Sequence, residues 1–169
     1  PTGQAGQIYF DMGGLMEFEY HKDPQKTAES RSKQGWVTVG DVGYLDEEGY
    51  LFLTDRKHHM IISGGVNIYP QEAENMLITH PKVLDAAVFG VPDEVMGQSV
   101  KAVVQLTDPL LAEGERADAM ADELLTWLRA RLARYKCPRS ISFEDELPRT
   151  DAGKLNKQPL IAKYSAALR

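Results

Sequence analysis

Several short stretches of this 169-residue sequence combine residue types that could do chemistry. The run Arg149-Thr-Asp-Ala-Gly-Lys154 ends on a lysine that could meet a phosphate as a point charge. It is not a Walker-type phosphate loop. That motif needs Gly at 148 and Ser or Thr at 155, and the sequence has Pro and Leu. Gly64-Gly65 follow a short apolar run, ahead of a helix signal at Pro70. Such a pair could form a backbone nest for an anion, or simply a tight turn. Asp41 and Arg56 stand at the ends of expected strands. A carboxylate can accept two hydrogen bonds from a ribose diol and an arginine can donate to it; the same two residues could also pair across a hairpin. His58-His59 stand too far from His21 and His80 to suggest a metal centre, and Asp46-Glu-Glu-Gly49 lacks calcium-loop spacing. No metal ligands are expected.

These residues need elements to position them. Residues 1–55 read as β-rich, with strands expected over 7–10, 36–39 and 50–54, and a loop or helical turn over 21–34. So few short strands bury little core, which suggests the remnant of a larger sheet. Beyond residue 55 the pattern turns to mixed α and β. A strand is expected over 60–62, then a helix opening at Pro70, with Glu72 and Glu74 at its positive end and Pro81 as its stop. Strands follow over 83–91 and 100–106; Val103 blurs the alternation of the second, so both its faces are expected to be partly covered. Met120, Leu124, Leu128 and Leu132 predict a helix over 117–135. A strand over 140–143 and a helix over 158–168, with Ile161, Tyr164 and Leu168 inward, complete the chain. The expected fold is α+β: a small mixed sheet packed with helices over 56–169, preceded by the β-rich piece 1–55.

Charge is divided unevenly. Residues 1–128 hold 9 basic and 21 acidic side chains, and residues 129–169 hold 10 and 4. An acidic body argues against wrapping a nucleic acid, whereas a basic end fits a compact polyanion or a solvated helix face. The single cysteine, Cys137, can make neither an internal disulfide nor a zinc site, and fits the cytosol. No apolar run reaches the roughly 18 residues a bilayer span needs, and the first residues show no signal peptide. Without an initiating Met, the chain reads as a piece of a longer protein.

Taken in order, the motifs resemble one family. Gly35-Trp36-Val-Thr-Val-Gly40-Asp41, Asp46-Glu-Glu-Gly49-Tyr50-Leu-Phe-Leu-Thr-Asp-Arg56, Met60-Ile-Ile-Ser-Gly-Gly-Val-Asn67-Ile-Tyr-Pro70-Gln-Glu72, Val88-Phe-Gly-Val-Pro92-Asp93, Tyr135-Lys-Cys-Pro138 and Leu147-Pro148-Arg149-Thr-Asp-Ala-Gly153-Lys154 are similar to the adenylate-forming acyl-CoA synthetases, the AMP-binding enzymes, in the style of fatty-acid CoA ligases. The resemblance implies the trailing end of a large N-terminal adenylation domain in 1–55 and a complete swinging C-terminal domain in 56–169. The family's phosphate loop is absent from this sequence, so the missing N-terminal domain is the implied partner and the piece alone is expected to be inactive.

By resemblance, a carboxylic acid attacks ATP to give an acyl-adenylate and diphosphate, with Mg2+ held mainly by the N-terminal domain. The thiol of coenzyme A then displaces AMP. Lys154 matches the catalytic lysine, Asp41 and Arg56 the ribose-binding pair, His58 the hinge, and Gly64 and Gly65 the loop beside the pantetheine path. His58 departs from the usual Asp or Lys, Val39 from the usual Thr, and Asp55 from Gly. Transfer to a carrier-protein thiol, or a free-standing non-catalytic α+β binding module, are the competing readings. The acid itself is not legible here.

Overall fold

The computed structural model describes residues 2–13 and 18–167. The chain divides into two compact units, Pro1–His58 and His59–Arg169.

In the first unit a three-stranded antiparallel sheet has the order β1-β2-β3, made of β1 (Gly6–Gln7), β2 (Asp41–Leu45) and β3 (Leu51–Arg56). Between β1 and β2 lies α1 (Pro24–Glu29), started by Asp23, whose carboxylate accepts from Lys26 N at 2.9 Å. β2 escapes the strand pattern because Gly43 interrupts it. A side chain there would run into the Phe52 carbonyl, and the register shifts at that point. The expected strands over 7–10 and 36–39 shrink to β1 and to isolated bridges, Phe10 with Val37 and Arg31 with Val37. Gly40, at φ +85°, turns the chain away before a ladder can extend.

The second unit holds a five-stranded mixed sheet. Its elements are β4 (Ile61–Ser63), β5 (Val66–Ile68), α2 (Pro70–Ile78), β6 (Val83–Asp93), β7 (Gly97–Leu106), α3 (Gly114–Arg129), β8 (Ser140–Phe143) and α4 (Lys157–Ala166). The strand order is β5-β4-β7-β6, with β8 joined to β7 in parallel and every other pair antiparallel. This is the expected α+β architecture.

Helices cover both faces of the sheet. Val88, Val100, Ala102 and Val104 pack with Leu77 of α2 and with Met120, Leu124 and Leu128 of α3. Ala87, Phe89, Val91 and Val103 pack with Leu147 and with Leu160 of α4. Two covered faces explain why β6 and β7 are apolar runs rather than alternating ones. Leu77, Leu124 and Leu128 have no exposed surface; burying such a side chain stabilises by about 1.5–3 kcal/mol.

Some expectations fail locally. α3 stops at Arg129, and residues 134–136 form a separate 3-10 turn. Gly64-Gly65 make the tight turn offered for them, but it closes a β4–β5 hairpin, and β5 was not anticipated. Glu74 sits beyond the first turn of α2 and is buried. Ile161 and Tyr164 do pack inward, against the second core; Leu168 lies outside the described residues. No described helix is long and apolar enough to cross a membrane.

Candidate functional site

Lys154 sits on a small hairpin between the second core and α4. Arg149 bridges Leu155, Thr150 N donates to Lys154 O at 2.8 Å, and Gly153 N donates back to Thr150 O at 2.8 Å. Gly153 takes φ +75°, the left-handed conformation such a reversal needs. The Thr150 hydroxyl accepts from Lys154 N at 3.2 Å. Leu147, ahead of the hairpin, is buried, so the base is fixed while the tip stays exposed. Among the described residues Lys154 has no carboxylate partner, whereas Arg149 pairs with Asp85, Lys157 with Glu74 and Lys163 with Glu144.

The Gly64-Gly65 turn borders a different feature. Both glycines have positive φ, +57° and +81°, as a two-residue hairpin turn of the mirror-image type requires. A cavity of about 650 Å³ opens beside Gly64, with Ser63, Met96 and Cys137 in its wall and Arg129, Arg134 and Arg139 among its lining. Three guanidinium groups give it the character of an anion site. Asp93 organises one rim. Its carboxylate accepts from Met96 N at 2.9 Å and Val95 N at 3.1 Å, and pairs with Arg139 at 3.0 Å. The Met96 N–H, helped by Val95 N–H and Arg139, holds the Asp93 carboxyl below its ordinary range. Gly64 N donates to Met96 O at 2.9 Å, joining the two turns. Burial pushes the Cys137 thiol up, and the residue stands in the cavity wall.

In the first unit, Asp41 lies opposite Arg56 across β2 and β3, and Arg56 Nε meets Asp41 Oδ1 at 3.2 Å. The pair thus forms across the hairpin, with one carboxylate oxygen and one guanidinium nitrogen engaged in that contact. His58 belongs to the 3-10 turn Lys57–His59, at the division between the units, and lines a cavity of about 410 Å³ with Ser30, Thr38 and Gly40. Among the described residues no three His, Cys, Asp or Glu come together as a metal cluster.

The sequence motifs thus point to Lys154, the Gly64 turn and the Asp41–Arg56 pair. They do not point to Arg129, Arg134 and Arg139. Those arginines lie on α3, the 3-10 turn and the approach to β8, and only the folded sheet assembles them. Their signal in the sequence is the basic bias of residues 129–169. Lys136, also in that stretch, instead pairs with Glu72 of α2 at 2.7 Å.

Residues 72–154 match the model of the AMP-binding enzyme C-terminal domain. A feruloyl-CoA synthase of an Amycolatopsis species is 46% identical over 157 residues, covering 93% of this chain and 30% of that protein. A long-chain-fatty-acid–CoA ligase of Bacillus subtilis is 42% identical over 142 residues, covering 84% and 24%. Among solved structures, ATP-bound MatB from Rhodopseudomonas palustris superposes with a TM-score of 0.84 at 31% identity, covering 100% of this chain and 32% of that one. The o-succinylbenzoate CoA synthetase MenE of Bacillus subtilis, in complex with its acyl-adenylate intermediate OSB-AMP, gives 0.79 at 35% identity over 95% and 31%. The chain spans less than a third of the length of each. With these matches across nearly all of its length, the chain belongs to the AMP-binding, adenylate-forming acyl-CoA synthetase family, of which it carries the C-terminal domain.

Proposed function

We propose that this chain is the C-terminal part of an AMP-forming acid–CoA ligase. The parent enzyme joins a carboxylic acid to ATP as an acyl-adenylate, releasing diphosphate, and then lets the thiol of coenzyme A displace AMP. The observation that carries the reading is Lys154, exposed at the tip of an ordered hairpin and without a carboxylate partner among the described residues, while neighbouring basic residues are paired. In the first half-reaction two anions, carboxylate and α-phosphate, must meet. An ammonium group placed between them offsets the charge that builds up, and a well-placed donor of this kind contributes about 3–4 kcal/mol.

Asp41 and Arg56 are the proposed ribose-holding pair. The Asp41 oxygen outside their contact can accept from a diol, and the remaining guanidinium nitrogens can donate. Gly64 and Gly65 border the proposed path of the pantetheine arm, and Arg129, Arg134 and Arg139 give the adjoining cavity the charge to receive coenzyme A phosphates. Mg2+ would accompany the ATP phosphates, held chiefly by residues of the N-terminal domain. His58 is the proposed hinge, supported by the division of the chain at that residue.

Relatives named for ferulate and for long-chain fatty acids each match most of this chain. That supports a region shared by ligases for different acids, with the choice of acid made elsewhere. A fatty acid is the substrate proposed within this class. In the enzyme carrying this chain, Lys154→Ala is expected to slow adenylate formation at least about 10²–10³-fold. It should leave thioester formation from supplied acyl-adenylate unchanged, with both steps followed by single-turnover diphosphate and AMP release. Equal loss of both half-reactions would refute the role given to Lys154.

A further inference from the structure

The hairpin that carries Lys154 is tied at both ends to one edge of the sheet. β6 ends the strand order, so among the described residues its outer backbone groups have no strand partner. Val88 N–H on that edge donates to Glu74 Oε1 of α2 at 2.6 Å. The same oxygen meets Lys157 Nζ at 2.6 Å, and the two side chains are only 6% (Lys157) and 4% (Glu74) exposed. Lys157 is the first residue of α4, immediately after the hairpin. Before Lys154, Arg149 pairs with Asp85 of β6 and donates to Gly153 O at 2.8 Å. The lysine therefore stands between two ion pairs, each ending on β6 or on the carboxylate that covers its edge.

A buried Glu–Lys pair is a poor way to gain stability. Desolvating both charges offsets much of their attraction, and apolar replacements of similar volume often do as well or better. What the pair does supply is a fixed geometry. An ammonium held against a carboxylate that also holds a β-strand amide leaves the start of α4 one position along the edge of β6. A hairpin of a few residues has little order of its own without such anchoring.

We propose that Glu74 and Lys157 are positioning residues for Lys154, with Arg149 and Asp85 as the second anchor. Together they hold the hairpin so that the Lys154 ammonium is presented in one place. The proposal rests on the reading of Lys154 as the adenylation lysine, but its first measurement does not. Amide hydrogen exchange in the full chain reads the hairpin directly, at the N–H groups of Gly153, Lys154 and Asn156, whose acceptors lie within the loop.

Lys157→Met and Arg149→Met are each expected to speed exchange at these amides about tenfold or more while leaving the amides of β6 and β7 unchanged. Lys157→Arg should restore protection. If Lys157→Met leaves too little folded protein, the double variant Glu74→Gln/Lys157→Met removes both charges and keeps an oxygen for Val88 N–H. In the enzyme carrying this chain, the same variants should lower kcat for adenylate formation by about tenfold to a hundredfold. KM for ATP and thioester formation from supplied acyl-adenylate should hardly change. Unaltered loop exchange in the double variant would overturn the anchoring. Faster exchange with an unchanged adenylation rate would overturn the positioning role. If the wild-type enzyme forms no adenylate with any acid, the proposed function falls, and the exchange data still decide whether the ion pairs order the hairpin.

Discussion

At Gly64 the backbone sits at φ +57° and an added Cβ would run into Met96 Cε. The conformation is costly for any residue with a side chain, at about 1–2 kcal/mol, whereas the methionine terminus can swing aside. Gly64→Ala is therefore expected to lower stability by about that amount, and to push Met96 towards the arginine-lined cavity. If that cavity admits the pantetheine arm, the KM for coenzyme A should rise while adenylate formation keeps its rate. Titrating coenzyme A at saturating acid and ATP, with a urea midpoint alongside, checks both parts; an unchanged KM would detach Gly64 from the thiol site. Gly64, Asp41, Arg56 and Lys154 were singled out as candidates because short motifs hold them. Glu74 was not, because a glutamate near the start of a helix has a simple reading as a dipole partner. Its actual partners, Lys157 and Val88 N–H, are remote in sequence.

Between the residues and the domain stands α4, whose attachment depends on a polar network as much as on Leu160. Tyr164 Oη donates to Glu144 Oε1 at 2.6 Å, and Lys163 Nζ reaches the same oxygen at 2.5 Å. Lys101 Nζ of β7 lies 4.6 Å from the centre of the Tyr164 ring and donates to Ser142 Oγ at 2.9 Å and Ser140 Oγ at 3.3 Å. Burial lowers the Lys101 ammonium and, with the bond to Glu144, pushes the Tyr164 phenol up from 10.0 to about 12. The native state thus holds the phenolic proton more tightly than the unfolded chain does. That contribution is complete below about pH 10 and is lost as pH rises towards about 12. Tyr164→Phe should cost about 1 kcal/mol at pH 8 and make the decline in stability over this alkaline window shallower. Urea midpoints of both proteins at a series of pH values test it; parallel declines would remove Tyr164 as the cause. At this scale periodicity found the long elements and the short strands β4 and β8, and lost β2, β5 and the end of α3. β2 carries a glycine at a bulge, β5 is three residues long, and α3 ends before Leu132 continues its spacing.

Over the whole molecule, the charge division visible in the sequence becomes an internal arrangement of the second unit. Lys136, Arg139, Arg149, Lys157 and Lys163 pair with Glu72, Asp93, Asp85, Glu74 and Glu144, and the Arg131 guanidinium lies 3.3 Å over the Trp127 ring. Neither a plain solvated face nor one continuous polyanion site describes this. Among the described residues from 129 onward, Arg129 and Arg134 line the cavity and Lys154 stands at its hairpin tip, so positive charge without a carboxylate pair lies at both places. On the proposed function, two separate candidate features on one domain fit two half-reactions that use different faces, and such use needs a joint. The chain divides after His58, inside the turn Lys57–His59, and Lys57 N–H is held by Gly40 O at 2.8 Å. Proline at 58 would fix that residue's φ and restrict Lys57 before it. Expected for His58→Pro in the enzyme carrying this chain is a slower thioester-forming step with a smaller effect on adenylation, measured by single-turnover release of diphosphate and AMP. Wild-type rates in both steps would rule out rotation at His58. Equal slowing of both would assign the residue to stability instead, which a urea midpoint on the same protein separates from a hinge effect.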